Sequence, residues 1–195
     1  MSSIPVDLER ESIEVAPDLV GLVLVHVKAG RVTAGRIVEC EAYGSVGEDT
    51  CSHTYRGRTP RNAVMFGPAG RLYVYFTYGM HHCANIVAHP HGRTGAVLLR
   101  ALEPVEGIEL MRRRRGRDMP DEQLCAGPAR LVVAMGLGPR DNGRRLDSGR
   151  LHLVDDGCRP GIVTGVRIGV SCAHADLPWR FGVAASPCLS RPFPR

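Results

Sequence analysis

Residues 22–27 are almost all apolar, and a second apolar-rich run, Arg31–Tyr43, follows a Lys28-Ala29-Gly30 break. That pattern predicts two strands joined by a tight turn. Counting alternate positions along the second strand puts Val38, Cys40 and Ala42 on one face. Ile37, Glu39, Glu41 and Tyr43 fall on the other, so two acids and a tyrosine stand side by side and suggest a cleft. A short helix is expected just before, over 16–21. Residues 44–70 lack periodicity and are rich in Gly, Pro, Ser and Thr, which reads as a long loop. Residues 71–77 alternate again: Leu72, Val74 and Phe76 on one face, Tyr73, Tyr75 and Thr77 on the other. A partner strand over 83–89 places Tyr78 and Gly79 near a hairpin tip. A further strand is expected over 95–102, then a helix over 106–115. A second helix is expected over 129–136, with Pro128 suited to its first turn. Residues 138–150 read as a Gly- and Arg-rich loop, and short strands near 150–155, 162–170 and 180–184 end the chain. Strands outnumber helices and connections are mostly short, so the expected fold is α+β: a single domain over 1–195 with a largely antiparallel, curved sheet flanked by short helices.

Composition narrows the classes. The 195 residues are enough for one domain with a substantial core, and 44% hydrophobic with 23% charged residues is ordinary globular usage. No apolar run is long enough to span a bilayer, so no membrane partner is expected. The net charge of +5 is carried almost entirely by arginine, Lys28 being the only lysine. A basic, arginine-rich surface favours a polyanionic partner such as nucleic acid. The seven cysteines have long gaps and no CxxC pair, which disfavours a zinc framework or a disulfide scaffold and suits a reducing cytoplasm. His81, His82, Cys83, His89 and His91 crowd together, but their spacing matches no standard ligand set, and no metal is expected.

Several segments together resemble the alkyladenine (3-methyladenine) DNA glycosylases, also called methylpurine DNA glycosylases. They are GRIVECEAYG (35–44), HTYRGRTPRNAVMF (53–66), GRLYVYFTYGMHHCANI (70–86), VLLRALEPVEGIELM (97–111), LCAGPARL (124–131) and RIGVSCAHADLPWRF (167–181). They occur in the family's order and span about residues 15–190. The resemblance implies a fold similar to the formyltransferase C-terminal domain and an enzyme that flips a damaged purine out of double-stranded DNA. Such an enzyme hydrolyses the bond between base and sugar.

The roles it implies are specific. Glu41 matches the general base that deprotonates water aimed at C1′, with Arg100 and the main-chain carbonyl of Ile168 positioning that water. Tyr43 on one side, His53 and Tyr75 on the other, match the walls around the flipped base, and Asn85 the residue that disfavours guanine. Tyr78 matches the hairpin residue inserted into the stack. Arg58, Thr59, Arg61, Met80 and Arg130 match positions that approach the DNA backbone. The Arg112–Arg115 run is expected to be mostly solvated surface. The family uses one essential carboxylate, which leaves Glu39 in a supporting role. Departures include a loop one residue shorter between Arg58 and Thr59, His81 beside the hairpin, and Ala129-Arg130 in place of Ser-Lys.

Strand-nicking glycosylases use an amine to form a Schiff base. Here the only amines are Lys28, in a distant predicted turn, and the N-terminus, so simple hydrolysis without a cofactor is expected, by a cytoplasmic monomer acting at the nucleoid. The rival readings are a damaged-DNA-binding protein of the same fold without activity and a tRNA-binding domain of the kind attached to formyltransferases. Glu41 and Tyr78 speak against both.

Overall fold

The computed structural model describes residues 4–77 and 79–194. Chain order is α1 (Ser12–Leu19), β1 (Val23–Lys28), β2 (Arg31–Tyr43), β3 (Leu72–Thr77), β4 (His81–Val87) and β5 (Ala96–Glu106). Then come α2 (Ile108–Arg115), α3 (Asp121–Leu124), α4 (Pro128–Met135), β6 (Asp147–Ser148), β7 (Leu151–Val154), β8 (Val163–Gly165) and β9 (Arg180–Gly182). The strands form one antiparallel sheet in the order β3-β4-β5-β2-β1-β7-β6, and β9 pairs with β2 where β1 has ended, carrying β8 on its outer edge. The sheet curves far enough that the chain before β6 bonds back to β3: Leu72 N–H donates to Arg144 O at 2.8 Å and Leu146 N–H to Gly70 O at 2.9 Å. An α+β fold built on a curved antiparallel sheet is therefore what the chain adopts.

The core lies between the sheet's inner face and helices α1, α2 and α4. Leu24, Ile37, Leu72, Ile86, Leu99 and Leu102 from the strands meet Leu19, Met111 and Leu131 from the helices, all fully buried. Removing this much apolar side-chain surface from water is the main drive for the fold. α4 starts with Pro128, whose missing N–H costs nothing at that position, and stops at Gly136 in the left-handed conformation (φ 71°). The run Arg112–Arg115 is not simply solvated surface. Arg112 pairs with Glu109 and Asp121, Arg114 donates to Ala134 O at 2.7 Å, and Arg115 donates to Leu124 O at 3.1 Å. Three of these arginines thus tie α2 to α3 and α4.

Two β-bulges change the face assignments. Between Ile37↔Leu102 and Glu39↔Ala101, β2 advances two residues against one on β5. The alternation slips there: Ile37 joins Cys40 and Ala42 in the main core, and Val38 turns to the opposite side with Ala101 and Cys188. This corrects the face expected for both residues. Between Glu39↔Ala101 and Cys40↔Leu99 the surplus falls on β5, leaving Arg100 unpaired in the ladder. A bulge re-aims the side chain it carries, and Arg100 points at the acids of β2.

Other boundaries also move. α1 starts at Ser12 rather than 16 and keeps Pro17 inside it, because Val15, Ala16 and Leu19 are buried against the sheet. β4 sits two residues early, β5 continues to Glu106, and the strand expected over 162–170 shrinks to Val163–Gly165. The missing piece of that strand becomes part of the site. The loop expected over 138–150 contains a 3₁₀ turn, Pro139–Asp141, and the two residues of β6.

Candidate active site

One register row crosses four neighbouring strands: Tyr73↔Asn85 on β3 and β4, Asn85↔Leu98 on β4 and β5, Leu98↔Glu41 on β5 and β2. Opposed residues in a sheet share a face, so these side chains line up as a floor. Above it lies a cavity of about 320 Å³ lined by Tyr43, His53, Tyr73, Tyr75, Asn85, Arg100 and Ile168, among others. That volume falls in the range of small-ligand sites, about 300–1,000 Å³.

The aromatic wall is held edge to face. His53 stands perpendicular to Tyr75 with centroids 4.5 Å apart, and Tyr73 stacks on Tyr75 at 5.4 Å. A hydrogen bond of 3.1 Å joins His53 Nδ1 to the Tyr73 hydroxyl. His53 is exposed to solvent on its outer side, yet the loss of water on its packed side, with Arg61 adding to it, pushes it down to about 4, so it is neutral near pH 7. Asn85 is anchored by donating from Nδ2 to Tyr73 O at 3.2 Å. The loop carrying His53 is organised by buried Asn62, which donates to His53 O at 2.8 Å and Gly57 O at 3.0 Å. Asn62 sits in a quoted motif yet attracted no role, since a buried amide bracing a loop looks like any other loop asparagine.

Glu41 is fully buried immediately behind the wall made by Tyr43, Arg100 and Ile168. Its carboxylate accepts from Ile168 N–H at 2.7 Å, from Tyr43 Oη at 3.0 Å and from Arg100 Nη1 at 3.2 Å. Arg100 Nη1 also lies 3.4 Å from the Ile168 carbonyl. Carboxylate, guanidinium and carbonyl thus converge on one spot at the cavity edge. Burial raises the Glu41 carboxyl above its ordinary value, and Arg100, the Ile168 N–H and Tyr43 pull against it without cancelling it. Burial pulls Arg100 down, and Glu41 and Glu39 more than offset that.

Glu39 is also fully buried and takes a different set of partners. It accepts from Arg100 Nε at 3.0 Å, Arg180 Nε at 2.8 Å, and the Ser190 N–H and hydroxyl at 2.6 and 2.7 Å. Three of these donors converge on Oε1 and one on Oε2, which suits a brace for Arg100. Gly182 lets β9 come this close: a Cβ there would sit 2.8 Å from the Val38 carbonyl. Arg180 and Ser190 come from the C-terminal segment and attracted no role from the sequence.

Of the other expected residues, Arg61 reaches the cavity wall. Arg61 donates to Phe76 O at 3.0 Å and lies over the Tyr75 ring at 5.3 Å. Arg58, Thr59 and Arg130 are exposed, and Met80 is 71% exposed beside Gly79 in the β3–β4 hairpin, whose φ of 68° suits glycine. Tyr78 lies outside the described residues. The histidines near it do not converge: His82 rests against Phe76, His89 is bonded to the Gly67 and Pro90 carbonyls, and His81 and His91 are exposed. Lys28 Nζ caps α4 by bonding Gly136 O at 2.8 Å, at the far end of that helix from Pro128 in the cavity wall.

The Methylpurine-DNA glycosylase (MPG) family model matches residues 6–187. The chain belongs to this family of DNA repair enzymes. A relative from Rhodopseudomonas palustris is 50% identical over 182 residues, 93% of this chain and 84% of its own; its name is "Putative 3-methyladenine DNA glycosylase". Proteins of the same name from Leifsonia xyli and Nitrosospira multiformis are 50% and 44% identical, over 92% and 99% of this chain and 87% and 96% of theirs.

One feature of this family member corrects the sequence reading. Cys51 and Cys172, 121 residues apart, form a disulfide with Cα atoms 5.4 Å apart. The long gaps and the lack of a CxxC pair disfavour a disulfide scaffold, yet the fold brings together the two loops that carry this one pair. Cys40, Cys83, Cys125 and Cys188 are free and buried, and burial pushes their thiols up.

Proposed function

We propose that this chain is a monofunctional DNA glycosylase. It takes an alkylated or deaminated purine, flipped from double-stranded DNA, into the cavity between Tyr43 and the His53–Tyr75 wall, and hydrolyses its bond to deoxyribose. The observation that carries this reading is the convergence of Glu41, Arg100 and the Ile168 carbonyl at the edge of an aromatic cavity. Water held there loses a proton to Glu41 as its oxygen attacks C1′; the C1′–N bond breaks and the base leaves with the bonding pair, leaving an abasic site. A raised carboxyl is suited to this work, because its conjugate base is stronger than an exposed carboxylate and the developing positive charge on the sugar lies beside it. Neutral His53 and the tyrosine rings offer π faces to an electron-poor purine without adding a cation that would repel it. Asn85, on the floor, stands where it can select against the exocyclic amino group of guanine.

Tyr78 fills the space left in the stack, and Arg58, Thr59, Arg61, Met80 and Arg130 approach the backbone around the mouth. The exposed apolar surface of Phe76 and Met80 flanks the hairpin, as a wedge into stacked bases requires. All the proposed groups come from one chain over residues 41–168, which supports action as a monomer of a single domain. No described helix is long and apolar enough to cross a membrane, and a DNA substrate is in keeping with action at the nucleoid.

The test uses duplexes with one defined lesion each: 3-methyladenine, 7-methylguanine, hypoxanthine or ethenoadenine. We expect alkali-labile abasic sites, no strand cleavage without alkali and no borohydride-trapped adduct, all in the presence of chelator. Binding of these duplexes without any abasic product would favour the non-catalytic reading instead.

A further inference from the structure

Two loops roof the cavity, residues 44–57 after β2 and 166–176 after β8, and the proposed chemistry does not by itself require them to be joined. They are joined four times over. Arg167 donates from Nη1 to Asp49 Oδ2 at 2.7 Å and from Nη2 to Asp49 Oδ1 at 3.0 Å, with both side chains fully buried. Thr50 N–H donates to His174 Nδ1 at 3.3 Å, and His174 N–H returns to Thr50 Oγ1 at 3.1 Å. The Cys51–Cys172 disulfide is the fourth tie. A buried ion pair is costly to desolvate, so its geometry has to be good, and here it is bidentate with further donors on the acid. Asp49 also accepts from Gly44 N–H and Cys51 N–H, both at 3.0 Å. Burial alone would raise Asp49; Arg167 and these N–H groups hold it below its ordinary value.

Arg167 reaches the catalytic carboxylate by two routes without touching it. Its backbone runs directly into Ile168, whose N–H donates to Glu41 Oε1. Its guanidinium donates to Ala42 O at 3.1 Å and lies over the ring of Tyr43, 4.9 Å from the centroid; the Tyr43 hydroxyl donates to Glu41 Oε2. We propose that Arg167, clamped by Asp49, is a positioning residue that places both neutral hydrogen-bond donors on Glu41 and so sets how tightly the general base holds its proton. This rests on the reading of Glu41 as the base.

The groups facing Glu41 make the consequence specific. From β2 come Tyr43, Glu39 and Cys40; from β5, Arg100; from the 166–176 loop, the Ile168 N–H; from β3 and β4, Tyr75 beside Tyr43 and Cys83 near Arg100. Arg180 on β9 is opposite Glu41 in register but spends its guanidinium on Glu39, the Arg191 carbonyl and the Phe193 ring. Arg100 is the one cation among them that bonds Glu41, and although its Nη1 also reaches the Ile168 carbonyl, its Nε and Nη2 are held by Glu39 and Ser190, which do not touch Arg167. Loosening Arg167 therefore removes neutral donors while the cation stays. A carboxylate that loses a donor holds its proton to higher pH, by about one pH unit for one hydrogen bond to a charged group.

The experiment is the pH profile of single-turnover excision, on whichever single-lesion duplex the wild type cuts fastest. It compares wild type, Arg167→Lys and Asp49→Asn, with Glu41→Gln as control. Lysine keeps the charge but can neither bind Asp49 through a fork nor lie flat on Tyr43; asparagine keeps the shape of Asp49 and loses its charge. Both variants should move the acidic limb upward by about one pH unit and regain most of the wild-type rate on the alkaline side. A partly unfolded preparation lowers the height of the profile and leaves its midpoint in place, so misfolding is not mistaken for the effect. Midpoints unchanged or lowered in both variants, with Glu41→Gln inactive, would overturn the role of Arg167 alone. A Glu41→Gln enzyme that excises normally with the same acidic limb would overturn the base assignment beneath it.

Discussion

Tyr73, Asn85 and Leu98 stand across the floor of the cavity in one register row that ends on buried Glu41, while the roof is two loops with no regular structure, joined by Asp49–Arg167 and Cys51–Cys172. The floor is positioned by the backbone ladders that join β3, β4, β5 and β2. The two loops of the roof are tied to each other by a few side chains, each pair more than a hundred residues apart in sequence. Glu41, the proposed base, therefore stands on the first half together with Tyr43, while the Ile168 N–H that bonds it comes from the second. Mutations should then behave differently in the two halves.

The largest expected effect is on the floor. Arg100→Met would leave Glu41 with neutral donors only and strip one of two cations from Glu39. Breaking a buried pair by removing one partner costs about 3–5 kcal/mol, read as a lowered denaturant midpoint at neutral pH. The sign of its pH dependence follows from Glu41, whose carboxyl is already raised in the folded state. Without Arg100 it rises further, so the loss should be greatest where Glu41 is ionised and should shrink as pH falls and the carboxyl takes up its proton. A loss that is small and independent of pH would mean that electrostatics does not hold the floor.

A smaller effect is expected on the roof. Cys51→Ser should lower stability by about 2–4 kcal/mol against wild type in non-reducing buffer. In reductant the two proteins should match, whereas the deficit of Arg100→Met should not respond to reductant at all. If wild-type stability is itself indifferent to reductant, the disulfide is not a tie between the loops in solution and the roof rests on Asp49–Arg167.

The same division governs what could be read from the sequence. Arg31–Tyr43 emerged with both ends correct, and Tyr73, Tyr75 and Thr77 fell on one face as expected, because period-two alternation is a local signal. Where that signal failed, a bulge was responsible: Ile37 and Val38 exchanged faces, and nothing local marks the extra residue. Family resemblance, rather than alternation, singled out Arg100, which the second bulge turns toward Glu39 and Glu41. Asp49, Arg167, Cys51 and Cys172 were not legible as partners. Their pairing is a property of the closed fold, the members of each pair standing 118 and 121 positions apart in sequence. Arg167 and Cys172 lay in a quoted motif, but only the neighbouring Ile168 carried a role there.

Glu41 is the proposed proton acceptor for water at C1′, and Glu41→Gln is the variant that bears on it without intermediaries. The amide keeps the shape of the carboxyl and the place of Glu41 between Tyr43, Arg100 and Ile168, but its proton-accepting power is gone. Excision should be measured under single turnover, and binding of the same lesion duplex should be measured beside it. Excision should be abolished while affinity stays close to that of the wild type. Excision at near the wild-type rate would contradict the account, however well the variant folds and binds.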